Sequence, residues 1–165
     1  MAITGLTNYM AEEIPGGYTK IVFRFFSDLM DQDMVETLWA EIVNEESGHY
    51  RIDSVPFYIP FIATDDIVAA EYDSDAEALV FVEKIKASGN SIVWVVIMSN
   101  VIKMEMIQQI MLDMDCESEA FGDRYFSMEI KAGTNYPKVR NKLLELKQEG
   151  LIDFHEAFIS DEHLS

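Results

Sequence analysis

Basic residues are scarce in this chain: 12 Lys and Arg stand against 30 Asp and Glu over 165 residues, for a net charge of −18 with His neutral. A surface of that sign repels phosphate backbones and anionic membranes, so nucleic acid and membrane are poor partners. It hastens encounter with cationic ones. The charge exceeds the magnitude of about 2–8 usual for a small domain. Solubility alone is the competing explanation. Cysteine is nearly absent. Cys116 stands alone, so no intramolecular disulfide can form, which fits a reducing cytoplasm. Histidine occurs three times, as His49, His155 and His163, with no HxxxH or CxxC spacing. A zinc site built from local ligands is therefore not expected, and a distant pairing with Cys116 is the remaining route. No apolar run approaches the roughly 18 residues that span a bilayer. The opening MAITGLTNYMAEEIPGG has no basic n-region and does not read as a secretory signal. The expectation is a cytoplasmic protein. There is no GxSxG elbow and no phosphate-cradling glycine loop, Gly16-Gly17 being too early and too short. Asp115 and Glu117 flank Cys116, and neighbouring anions push a thiol away from the reactive thiolate. With 30 acids, chance carboxylate pairs are unavoidable and carry no acid–base signal. No catalytic residue, metal or cofactor is expected.

What the chain does have is apolar residues at 49%, enough for a core. The organising stretch is Val35 to Phe57, VETLWAEIVNEESGHYRIDSVPF. Two alternating runs flank a polar insert ending near Gly48, which predicts a β-hairpin. Its acids Glu36, Glu41, Glu45, Glu46 and Asp53 face one base, Arg51. Pro15-Gly16-Gly17 closes a variable lead-in over residues 1–17. Tyr18 to Phe26 reads as a strand and Ser27 to Asp33 as a loop. Pro56 and Pro60 make the piece between them an edge or a loop. Ile67 to Tyr72 and Ala78 to Lys86 are further strands. Five short strands without a helix predict a small β-barrel or bent antiparallel sheet over residues 18–88.

The period changes after the Ala87-to-Asn90 break. Ser91 to Met98 is a continuous apolar run, hence a buried strand. Ser99 or Asn100 would cap the helix carrying Met104, Ile107, Met111 and Met114 on one face, with Ile110 beside them. That face is expected to cover the sheet, the alternative being an adaptable groove. Cys116 to Phe121 and Arg124 to Ile130 are strands. A helix opened by Pro137 has Tyr136, Val139, Leu143 and Leu146 on its apolar face and Gly150 as its C-terminal stop. In the last strand Ile152, Phe154 and Phe158 are placed on one side, and Trp39 and Trp94 are expected in the core. Strand, helix, strand, strand, helix, strand is the ferredoxin-like βαββαβ order, expected over residues 89–160 with a tail at 161–165. Lys138, Arg140, Lys142 and Lys147 form the basic patch of the second helix, which pairing with Glu145 and Glu149 explains.

The segments VETLWAE, HYRIDSVPF, DDIVAAEYD and FVEKIKASGNSIVWVVIM, with Tyr136-Pro137, Gly150 and Glu156 in the tail, resemble a bacterial domain-of-unknown-function family, DUF4265, from about Lys20 to about Phe158. The resemblance implies no activity. Members encoded beside toxins would imply an immunity role. Asp28-x-x-Asp31-x-Asp33-x-x-Glu36 and Asp73-x-Asp75-x-Glu77 crowd carboxylates as calcium sites do, but neither has the central glycine, so solvated acidic turns are expected. The functional reading is an acidic inhibitor, an immunity protein that plugs the basic cleft of a cationic toxin acting on nucleic acid or translation. Its partner-binding residues would be Asp28, Asp31, Asp33, Glu36, Glu45, Glu46, His49, Asp65, Asp66, Asp73, Asp75 and Glu77, making charge-assisted contacts to Arg or Lys. The alternatives are a small-ligand or regulatory module using a groove between the halves, and an enzyme of unfamiliar type.

Overall fold

The computed structural model describes residues 17–164. The expected lead-in therefore lies, except for Gly17, outside the described residues. The fold is mixed α+β, with a five-stranded and a four-stranded sheet and three helices among the described residues. The chain forms two compact units.

The first unit is built from the described residues up to Ser54 together with Thr64–Ala87. It contains β1 (Tyr18–Ser27), β2 (Gln32–Asn44), β3 (His49–Ile52), β4 (Ile67–Asp73) and β5 (Ala78–Lys86). Neighbours in sequence pair antiparallel, and a short parallel contact, Ile21 with Leu79 and Val22 with Val80, closes the set into a barrel. Alternation gives each strand an inner face. Ile21, Phe23, Leu38, Ala40, Tyr50, Ile52, Val68 and Ala70 are buried. Phe23 stacks on Phe81 with ring centres 4.8 Å apart. The β2–β3 turn is backed against β4: Ala70 donates to the Gly48 carbonyl at 3.0 Å. Gly48 is required there, because its φ is +69° and a Cβ would sit 2.9 Å from the Ala70 oxygen.

The second unit comprises Val55–Ala63 and the described residues from Ser88 onward. Its strands are β6 (Ser91–Ile97), β7 (Ser118–Ala120), β8 (Tyr125–Ile130) and β9 (Ile152–Phe158), with helices α1 (Met104–Leu112), α2 (Tyr136–Gln148) and α3 (Asp161–Leu164). Sheet order is β7-β8-β6-β9, antiparallel throughout. β6 is buried on both faces, as its unbroken apolar run predicts. On one face Val93, Val95 and Ile97 join Ile107 and Met111 of α1 and Val139, Leu143 and Leu146 of α2. On the other, Ile92 and Trp94 pack with Val55 and Ala63. The Trp94 indole donates to the Pro56 carbonyl at 3.0 Å, and the Ser127 hydroxyl donates to the same oxygen at 2.7 Å. The segment between the two prolines is thus a lid on the back of this sheet.

Three local expectations are corrected. Neither Ser99 nor Asn100 caps α1, which begins after Lys103 with no side-chain cap. Ser99 accepts instead from the Val101 amide in the preceding turn. Ile152, Phe154 and Phe158 do not share one side of β9. The register slips between the Ile92 and Trp94 pairings, so Ile152 and Phe154 face the helices while Phe158 packs with Ile92 and Trp94. The basic residues of α2 look mostly to β9. Lys142 does pair with Glu145, but Arg140 and Lys147 pair with Glu156 and Asp153.

The methionine face of α1 is core. Met104, Ile107 and Met111 are buried, whereas Met106 is exposed. Truncating Ile107 to Ala is expected to lower unfolding stability by about 2–5 kcal/mol, and Met106→Ala by under about 1 kcal/mol. Urea titrations followed by circular dichroism measure both. Asn135 accepts from the Lys138 amide as the α2 cap, and Asn135→Ala is expected to cost about 1 kcal/mol in the same titration.

Candidate functional site

The barrel divides the sequence-predicted acids between its two ends. β1 runs parallel to β5, so the β1–β2 turn at the close of β1 and the β4–β5 turn at the start of β5 lie at opposite ends. The first end carries Asp28, Asp31 and Asp33, and the β3–β4 connection brings Asp65 and Asp66 to it. The other end carries Glu45, Glu46 and His49 beside β4, with His49 opposite Ala69, and Asp73, Asp75 and Glu77. Glu36 lies on β2, half-buried among exposed neighbours. Asp73 nonetheless reaches back to Arg24 of β1.

Some of these side chains already have structural partners. Asp66 is a correction to the expected surface set. It is buried and its carboxylate meets the Lys84 ammonium at 3.1 Å, so its charge is answered inside the protein. Asp73 accepts from the Asp75 amide and lies 3.6 Å from Arg24. The turn amides, more than the guanidinium, hold its carboxyl below the usual carboxylate range. Asp31, Asp65 and Glu77 have left-handed backbone, φ +53°, +68° and +52°, a turn-forming role that Asp tolerates better than most residues. Asp28, Asp33, Glu45, Glu46 and Asp75 are exposed.

The β1–β2 end carries a run of four exposed apolar residues among its acids, where the other end has Val43 and Tyr72 beside its own. β1 meets β5 only at Ile21 and Val22, and β2 meets β3 only from Ala40 onward. Residues 24–38 are therefore a two-stranded arm. Phe26 is 52% exposed, Leu29 58%, Met30 49% and Val35 64%. Arg24, Phe25, Phe26, Asp33, Met34 and Val35 line a shallow depression of about 400 Å³ on it. A sequence scan for charge sees the acids here. The exposed apolar residues were readable only as strand and turn residues.

The second unit holds a polar cluster that sequence reading missed. The Tyr136 hydroxyl donates to Glu156, which also accepts from Arg140 Nε at 3.1 Å. Burial first, then the Glu156 carboxylate, raises the phenol pKa strongly. Beside it the imidazole of His163 sits between Ser91 Oγ, 2.5 Å from Nδ1, and the Lys131 carbonyl, 3.0 Å from Nε2. That carbonyl can only accept, so Nε2 carries a proton and donates to it. Ser91 is fully buried and its oxygen accepts the Ser160 amide at 2.9 Å. The Ser–His contact is thus a clasp that seats α3 on the sheet, not an accessible nucleophile. Of the other histidines, His155 stacks on Trp94. Among the described residues no three His, Cys, Asp or Glu side chains converge as metal ligands would, and no helix is long and apolar enough to cross a membrane.

The family described as domain of unknown function (DUF4265) matches residues 36–154, well over half of the chain, and the protein belongs to it. The match begins at Glu36, so Asp28, Asp31 and Asp33 precede the matched residues. A crystal structure of a hypothetical protein from Neisseria gonorrhoeae is similar, with a TM-score of 0.73 and 22% identity. The similarity covers 86% of this chain and 94% of that one; at this identity it speaks to the fold. No curated protein matches the chain.

Cys116 is buried, and burial, with Asp115 and Glu129 nearby, pushes its thiol up to about 11. The folded value exceeds the unfolded one, so the thiolate is favoured in the unfolded chain and stability falls as pH rises above about 8.5 toward 11. Native protein is expected to label negligibly with a thiol reagent at pH 8 and completely in denaturant. Cys116→Ala should flatten the alkaline arm of the stability profile.

Proposed function

We propose that this protein is a binding module for a cationic protein, acting as an inhibitor, and that the acidic β1–β2 arm carries the contact. The supporting observation is the arm's mixed surface: exposed Phe26, Leu29, Met30 and Val35 among Asp28, Asp31 and Asp33. Protein interfaces take their energy from a few apolar anchors and their specificity from the charged rim. Acids alone would speed encounter without supplying anchors. The net charge of −18 supports a partner with a basic cleft and argues against nucleic acid or anionic membrane. The immunity role, with a toxin domain as partner and the reducing cytoplasm as setting, is the biological form of this reading.

The finer fold reading for the second unit is ferredoxin-like. The order β7-β8-β6-β9 with antiparallel neighbours and two intervening helices supports it. Such a sheet would act as a rigid support and does not by itself imply an activity.

The test is co-expression with the product of the adjacent gene. Rescue from toxicity is expected for the native chain, with a complex whose affinity falls as salt rises. Asp31→Lys with Asp33→Lys should abolish rescue, while Glu45→Lys with Glu46→Lys at the opposite end should leave it intact. Failure of both rescue and complex formation would overturn the proposal, and loss confined to the Glu45, Glu46 pair would move the site to the other end.

A further inference from the structure

The β1–β2 arm has an open hydrogen-bonding edge. Among the described residues no strand lies against the outer side of β2 before Ala40. The direction of each backbone group can be read from the ladder. Ile42 N–H points toward β1, where it donates to the Gly17 carbonyl at 2.7 Å. Trp39 points the other way: its N–H donates to Ser54 Oγ at 3.2 Å and its carbonyl accepts from Asp53 at 2.9 Å. The β1–β2 register is unbroken from there to the turn. Alternation therefore turns both backbone groups of Thr37, Val35 and Asp33 outward, and all three residues are exposed.

An edge of this kind is a template for another strand, and proteins usually blunt it with charge. Here acids outnumber the one base: Asp33 is on the edge with Asp31 in the adjoining turn, and Arg24, opposite Val35, is paired with Asp73. A second copy of this chain would bring the same acids and a further −18 of net charge to the contact. A basic strand would meet both the open backbone and the carboxylates. We propose that an extended, lysine- or arginine-rich segment of the partner adds to this edge as an extra strand. Its backbone pairs with Asp33, Val35 and Thr37, and on the face that Asp33 and Val35 share its cations reach Asp33 while their aliphatic stems cover Val35. The mode is strand addition, in which main-chain bonds give affinity and alternate side chains give selectivity. This inference rests on the acidic arm being the docking site.

The test uses the full chain and two probes: an acetylated decapeptide of alternating lysine and valine, and spermine, which has comparable charge and no peptide backbone. The peptide is expected to slow amide exchange at Asp33, Val35 and Thr37. Val35→Pro removes an outward donor without touching the β1 ladder, a position where an edge strand tolerates proline. It should weaken the peptide by roughly tenfold or more, through lost edge hydrogen bonds and their neighbours, and leave spermine binding unchanged. Thr37→Pro serves as the second variant should the first misfold, which the native dispersion of the amide spectrum reports. Asp31→Asn with Asp33→Asn should weaken both probes.

Equal peptide binding by the wild-type and proline variants, with loss only in the Asn variant, overturns strand addition and leaves charge-led docking standing. Binding of neither probe overturns both. Protection at Arg24 and Phe26 instead would move the contact to the other edge of the arm and overturn the assignment. Sedimentation showing dimers whose contact protects Val35 would identify a second copy as the occupant, with the same effect.

Discussion

The second unit depends on covering both faces of one strand. β6 has apolar side chains on each side, and neither set can be left in water. The helices α1 and α2 cover Val93, Val95 and Ile97. Ile92 and Trp94 need another cover, and the chain supplies it from an earlier stretch, Val55–Ala63. The indole adds a directional demand, since its buried N–H must find an acceptor, and the Pro56 carbonyl provides it. Proline suits this segment, having no donor of its own to satisfy. The connection between β3 and β4 is therefore long for a structural reason, and Asp65 and Asp66 return the chain to the barrel with their positions fixed by the Ile52 backbone.

A similar economy governs the acids. A carboxylate inside a protein must be paired, and Asp66 is, with Lys84. Asp73 is tied up in its turn. The acids left exposed are those on the turns, and the barrel's strand directions place these turns at its two ends. Charge alone cannot choose between the ends. The β1–β2 arm is set apart by outrunning its neighbours on both sides, so that it exposes apolar residues and, among the described residues, a backbone edge together with acids.

Much of the architecture was legible in the residues. The strands of the first half follow from alternation, Gly48 and the Asp-rich turns mark their ends, and the unbroken run SIVWVVIM announces a strand buried on both faces. Pro137 and Gly150 bound α2 as their spacing predicts, and the structure adds the Asn135 cap. The family resemblance pointed to the domain that the match over residues 36–154 bears out. The misses share a cause. A β-bulge reverses which side Phe158 occupies, and a bulge is set by the partner strand, not by the strand's own pattern. The clasp of Ser91, Ser160 and His163 joins residues some 70 positions apart, beyond any local spacing rule.

By itself the sequence determined the elements, the sign and size of the charge, and the improbability of disulfide or local metal chemistry, because these depend on side-chain type and on neighbours within a turn or a strand. The tertiary structure alone decided which acids are exposed, which end of the barrel each occupies, and which strand edge has no partner among the described residues. Those are properties of strand direction and register, fixed only when distant segments pair, and the reading of function depends on them.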